Sequence, residues 1–136
     1  MAAARRVLVV DDSDAVRALI TMNLETEGFE VVTARSGREA LELVGQVDPQ
    51  VVTLDVTMPD MDGFGTAEAL RAGPATRHLP IVIVSACAQD VDFLRAEEIG
   101  VDAYVTKPFD PEHLVRVVRE LAEAVEGERP APEPRD

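Results

Sequence analysis

Five short β-prone runs, each leading into a polar or charged residue or a turn and then into a stretch with helical punctuation, limit what this chain can fold into. Val7 to Val10 stops at Asp11-Asp12, Val51-Val52-Thr53-Leu54 stops at Asp55, and Ile81 to Val84 stops at Ser85. These three lack the polar alternation of a half-exposed strand, so they read as strands covered on both faces of a parallel sheet. Glu30 to Ala34 and Ala103 to Thr106 are shorter and complete the set.

The segments between them carry helix signals. Ser13-Asp14 opens a helix in which Val16, Leu19, Ile20 and Leu24 recur at helical spacing until Gly28 stops it. Ser36-Gly37-Arg38-Glu39 fits a capping box and introduces Ala40, Leu41 and Val44. Asp48-Pro49 turns the chain into the Asp55 strand. Met58-Pro59 then biases it away from helix, and Asp62-Gly63 precedes a helix that carries Phe64, Ala67 and Leu70 inward and ends at Gly73-Pro74. Gln89 to Ile99 is a weaker helix, with Val91, Leu94 and Ile99 apolar among acids and Gly100 closing it. Asp110-Pro111-Glu112 starts the last helix, whose Leu114, Val117, Val118, Leu121 and Val125 form the cleanest amphipathic face in the chain. Strand and helix alternating five times predict an α/β fold, a single doubly wound (βα)5 domain with a parallel five-stranded sheet and right-handed crossovers. The expected domain spans residues 1–126. Residues 127–136, rich in Pro and Glu, are expected to be a disordered tail or the stub of a linker.

At 136 residues and 46% hydrophobic, one domain can bury a core without disulfides. No apolar run approaches the roughly 20 residues of a membrane span, and Asp11-Asp12 interrupts the first run too early for a signal peptide. A cytoplasmic location is expected by default, and the single Cys87 agrees with a reducing compartment. A net charge of -13 argues against direct binding to nucleic acid or to an anionic membrane. Of the thirteen basic residues only Lys107 is a lysine, a compact point charge that the planar guanidinium cannot replace.

In a parallel sheet the C-terminal ends of all strands share one edge, where ligands bind. Asp11, Asp12, Asp55, Ser85 and Lys107 all fall there. Each has an ordinary structural reading on its own: Asp12 or Ser13 as a helix cap, Ser85 as a buried hydroxyl, Lys107 as a solvated charge. Their coincidence at one edge favours a site. Three converging carboxylates repel one another unless a cation is supplied, and oxygen ligands without Cys or His imply Mg²⁺ or Mn²⁺. A carboxylate nucleophile, a metal, an ammonium and a hydroxyl together describe a site that accepts a phosphoryl group.

Asp11-Asp12, Asp55 followed by Met58-Pro59 and Asp62-Gly63, Ser85-Ala86, and Lys107-Pro108-Phe109 closely resemble the motifs of the receiver domain of two-component response regulators, from about Arg6 to Val125. The resemblance implies a flavodoxin-like strand order 2-1-3-4-5. It implies that Asp55 is the phosphoacceptor, taking its phosphoryl group from a sensor histidine kinase or a phosphotransfer protein. It implies that Asp12, Asp55 and the Thr57 backbone carbonyl hold Mg²⁺, with Asp11 acting mainly through water, and that Ser85 and Lys107 contact the phosphoryl oxygens. Tyr104 matches the switch aromatic, coupled through Ser85 to the face formed by the fourth helix, fifth strand and fifth helix, where a downstream protein effector would bind. Thr57 and Cys87 fall where family members tune the access of hydrolytic water. A cis Lys107-Pro108 bond and either a monomer or a phosphorylation-dependent dimer are also implied. His78 and His113 read as surface residues.

Competing readings fail on particular residues. A nucleotide-binding module needs a Gly-rich loop after the first strand, and Asp11-Asp12-Ser13-Asp14 would repel phosphate there. A phosphohydrolase with an Asp nucleophile needs a second acid two residues later, where this chain has Thr57. Asp60-Met61-Asp62-Gly63 lacks the remaining ligand spacing of an EF-hand. A degenerate receiver serving only as an interaction module is the alternative within the family, and every expected site position carries competent chemistry against it. The expected chemistry is therefore self-directed, without turnover of a free substrate. The chain would be a stand-alone receiver or one that leads into an effector domain.

Overall fold

The computed structural model describes residues 5–58 and 61–128. Its strands are β1 (Arg6–Val10), β2 (Glu30–Ala34), β3 (Val51–Leu54), β4 (Ile81–Ser85) and β5 (Ala103–Thr106). They alternate with α1 (Asp14–Thr26), α2 (Gly37–Val47), α3 (Gly63–Ala72), α4 (Asp90–Ile99) and α5 (Pro111–Glu128). All strand pairings are parallel and the sheet order is β2-β1-β3-β4-β5, as expected. The helices cover both faces of this sheet. One core layer packs Leu8, Val10, Leu54, Ile81 and Ile83 against Phe64, Ala67 and Leu70 of α3. The other packs Val7, Val9, Val51, Val82 and Val84 against Ile20 and Leu24 of α1 and Leu114 and Val118 of α5.

Because β3 is central, Val51, Val52 and Leu54 are fully buried. Each such side chain contributes roughly 1.5–3 kcal/mol by leaving water. Truncating Leu54 to Ala would cost about 2–5 kcal/mol, cavity included. This rigid centre carries Asp55.

Local capping sets the loops beside the site. Ser13 accepts from the Val16 N–H, and Asp62 accepts from the Gly65 N–H, so acids or hydroxyls cap both helices that flank β3's far end. The Ser36 box forms in half: Ser36 accepts from the Glu39 N–H, while Glu39 accepts from the N–H of Arg35, one residue before the cap.

Several apolar residues lie elsewhere than periodicity implies. Leu19 of α1 is exposed, and so are Val91 and Leu94 of α4, at 65% and 55%, leaving Ala96 as the buried residue of that helix. On α5 the buried positions include Val115 and Ala122, while Val117 and Leu121 are half-buried. The last helix continues to Glu128, past the boundary expected at Gly127. Residues 129–136 and the pair Pro59-Asp60 lie outside the described residues. No helix among the described residues is long and apolar enough to cross a membrane.

Candidate functional site

The C-terminal edge of the sheet gathers the residues singled out by sequence. Asp55 follows β3 directly, and its backbone N–H donates to the Val10 carbonyl at 3.0 Å, which continues the β1–β3 ladder one residue past the strand. Asp11 follows β1 in the same way, its N–H donating to the Ala34 carbonyl at 3.1 Å. Both acids are therefore fixed by sheet geometry and buried, Asp11 at 1% exposure and Asp55 at 6%. Asp12 is exposed. Carboxylate oxygens of Asp11, Asp12 and Asp55 all lie within 4.8 Å of one another.

Lys107 enters from the end of β5. Its Nζ donates to Asp11 Oδ2 at 2.9 Å and lies 3.6 Å from Asp55 Oδ2. The Lys107–Pro108 bond is cis, and the Lys107 backbone N–H donates to the Ser85 carbonyl at 2.9 Å. Ser85 is fully buried, and its Oγ accepts from the Cys87 N–H at 3.2 Å. Burial pushes the Asp55 carboxyl above its ordinary pKa, and the charge of Asp11 pushes the same way; Lys107, the Thr57 backbone and the Ser85 hydroxyl oppose the shift without cancelling it.

Three carboxylates against one ammonium leave a net negative cluster. Its donors are hard oxygens, and its exposed member Asp12 opens it to water. That set fits a divalent cation that keeps part of its hydration. Asp11 has both oxygens engaged, Oδ1 with the Ser13 N–H at 2.9 Å and Oδ2 with Lys107, which suits an indirect role.

At the mouth, Thr57 Oγ1 and Cys87 Sγ are 3.5 Å apart. The Tyr104 hydroxyl donates to the Cys87 carbonyl at 2.5 Å, and its ring meets Phe93 of α4 edge-on at 4.7 Å. His78 and His113 are exposed, as expected. Gly63 closes the loop under Asp55: a Cβ there would sit 2.1 Å from the Asp55 carbonyl oxygen, so only glycine permits this approach.

Sequence reasoning missed Arg17. Its Nη1 donates to the Asp11 carbonyl at 2.7 Å. The available signal was an Arg four positions after a capping Ser in a run of acids, obscured because nearly every base in this chain is Arg.

Residues 7–119 match the family model described as the response regulator receiver domain. The chain is 38% identical over 122 residues to a probable transcriptional regulator ycf27 of Cyanophora paradoxa, covering 90% of this chain and 50% of that protein. It is 40% identical over 116 residues to the response regulator PleD of Caulobacter vibrioides, covering 85% of this chain and 26% of PleD. The chain thus spans half, or less, of the length of these relatives. Among solved structures, the Vibrio cholerae chemotaxis protein CheY4 superposes with a TM-score of 0.83 at 32% identity, covering 88% of this chain and 99% of CheY4. A CheY-like receiver domain protein from Methanospirillum hungatei gives 0.86 at 27% identity over 93% and 99%. With the sheet order, the acidic edge and these likenesses in agreement, the chain belongs to the receiver domains of two-component response regulators.

Proposed function

We propose that this chain is a phosphorylation-controlled switch whose chemistry is the transfer of a phosphoryl group onto its own Asp55 and the later loss of that group. One arrangement supports the reading above all. Asp55 sits buried at the end of the central strand with two carboxylates within 4.8 Å and an ammonium at 3.6 Å.

A carboxylate oxygen of Asp55 attacks the phosphorus of a phospho-histidine on a sensor histidine kinase or phosphotransfer protein. The O–P bond forms as the N–P bond breaks, and the imidazole leaves with the electron pair and takes up a proton. The product is an acyl phosphate. Asp12, Asp55 and the Thr57 carbonyl would hold Mg²⁺ or Mn²⁺, with Asp11 acting through water, and the ion would supply charge neutralisation when bound. Lys107 needs only a small shift from Asp11 to meet a phosphoryl oxygen, and the Ser85 hydroxyl supplies a donor to another. Thr57 and Cys87 stand at the mouth, where hydrolytic water would enter.

Drawing Ser85 toward the phosphoryl group would pull the Cys87 carbonyl on which the Tyr104 hydroxyl rests. Tyr104 would then move against Phe93. Phe93 of α4, exposed and edge-on against Tyr104 of β5, would then lie at the centre of the face that a downstream protein effector would read. The domain works in the cytoplasm, as a monomer or as a dimer formed on phosphorylation.

Intact mass after incubation with acetyl phosphate, with and without Mg²⁺, tests the reading on the native chain and Asp55→Asn. A Mg²⁺-dependent gain of one phosphoryl group in the native chain alone is expected. No gain under conditions where Mg²⁺ binds would sink the switch and promote a phosphorylation-independent interaction module.

A further inference from the structure

Arg17 is folded back over the loop that carries two of the three carboxylates. Long cationic side chains ordinarily keep their heads in water. This one is only 12% exposed, with Nη1 on the Asp11 carbonyl at 2.7 Å and Nη2 paired with the Asp14 carboxylate. The fork therefore spans the loop on either side of Asp12.

The Asp11 carbonyl belongs to the rigid peptide plane that joins Asp11 to Asp12, so holding that oxygen fixes the plane in which the Asp12 N and Cα lie, and with it the base from which the Asp12 side chain projects. Asp11 has further anchors, to Ala34, Ser13 and Lys107. Asp12 is exposed, and its direction is set by the loop backbone rather than by packing. We infer that Arg17 is a positioning residue for the metal site, its guanidinium fixing the Asp11–Asp12 peptide so that the Asp12 carboxylate stays turned toward Asp55. The inference rests on the proposal that this cluster holds Mg²⁺.

Charge alone predicts the opposite sign. A guanidinium beside the cluster repels a divalent cation, so its removal would tighten Mg²⁺ binding if Arg17 acted only as a charge. Positioning predicts that removal weakens it.

Calorimetric titration of the full chain with Mg²⁺ separates the two, using the native protein, Arg17→Met and Arg17→Lys, each checked by thermal unfolding. Arg17→Met should bind Mg²⁺ about tenfold more weakly, in the range seen when groups behind a metal ligand are removed. Arg17→Lys keeps the charge and loses the fork, and should fall between. Phosphorylation by acetyl phosphate should drop at limiting Mg²⁺ and recover when Mg²⁺ saturates. Native or tighter affinity in Arg17→Met overturns the inference. Should Arg17→Met fail to fold, Arg17→Lys decides, weaker binding supporting the inference and native binding overturning it. Absence of Mg²⁺ binding by the native chain would remove the metal-site reading itself, and the inference with it.

Discussion

The ammonium of Lys107 lies 2.9 Å from Asp11 Oδ2, closer than the 3.6 Å that separates it from Asp55, so the chain's one lysine rests on the more deeply buried acid. Removing that ammonium leaves Asp11 buried with only the Ser13 N–H to stabilise its charge. Without metal, Lys107→Met should lose about 2 kcal/mol, less than for a fully buried pair because Lys107 keeps some water. Excess Mg²⁺ should restore much of that loss by replacing the missing cation. Denaturation midpoints in chelator and in Mg²⁺ check this; an equal deficit in both would show that the pair is not part of the cation site.

Asp55 carries a folded-state pKa raised by burial, which makes its ionised form a cost to stability. Below the ordinary carboxylate range both folded and unfolded chains hold the proton, and the cost vanishes. As pH rises the unfolded chain ionises first, and stability falls until the raised folded-state value is passed, after which the full cost persists. Asp55→Asn is neutral throughout. It should therefore be more stable than the native chain at neutral pH in chelator, on the order of 1 kcal/mol. That advantage should close toward pH of about 3. Thermal unfolding of both proteins across that range is the measurement, and a difference independent of pH would contradict the assignment.

The strands and the site edge were legible because each apolar run stops where a charged or polar residue must reach solvent or a partner, as at Val10-Asp11 and Leu54-Asp55. Order among the strands was not readable from such runs and came only with the family likeness. Helical period misled at Leu19, Val91 and Leu94 because spacing states which residues share a helix face and not how far the covered stripe extends, so an apolar residue at its edge can face solvent. Arg17 stayed hidden for a different reason. Its role depends on the side chain turning back toward its own cap, and spacing alone does not state that direction.

Tyr104 offers a clean optical test, since the chain has one Tyr and no Trp. Burial pushes its hydroxyl up to about 12, and the charges of Asp92, Cys87 and Asp55 push the same way. A free phenol is mostly ionised by pH of about 10.5. While circular dichroism remains native, Tyr104 should show little phenolate absorbance at that pH. Ionisation near pH of about 10 in the folded chain would mean that the hydroxyl is not withdrawn from water as the structure has it.

Two glycines should respond to the same substitution with opposite sign. At Gly63 a new Cβ would meet backbone, the Asp55 carbonyl oxygen at 2.1 Å and the Val56 Cα at 2.9 Å, and neither can yield without moving Asp55. Gly63→Ala should cost about 1–3 kcal/mol and slow phosphorylation. Gly45 lies inside α2 with nothing within 4 Å of the added carbon. There Ala removes only the entropy penalty of glycine in a helix, and Gly45→Ala should gain about 0.5–1 kcal/mol with unchanged phosphorylation. Urea midpoints and the rate of mass gain from acetyl phosphate read both variants. A neutral Gly63→Ala would mean that the loop beneath Asp55 yields freely, and the placement of Asp55 would then owe little to this contact.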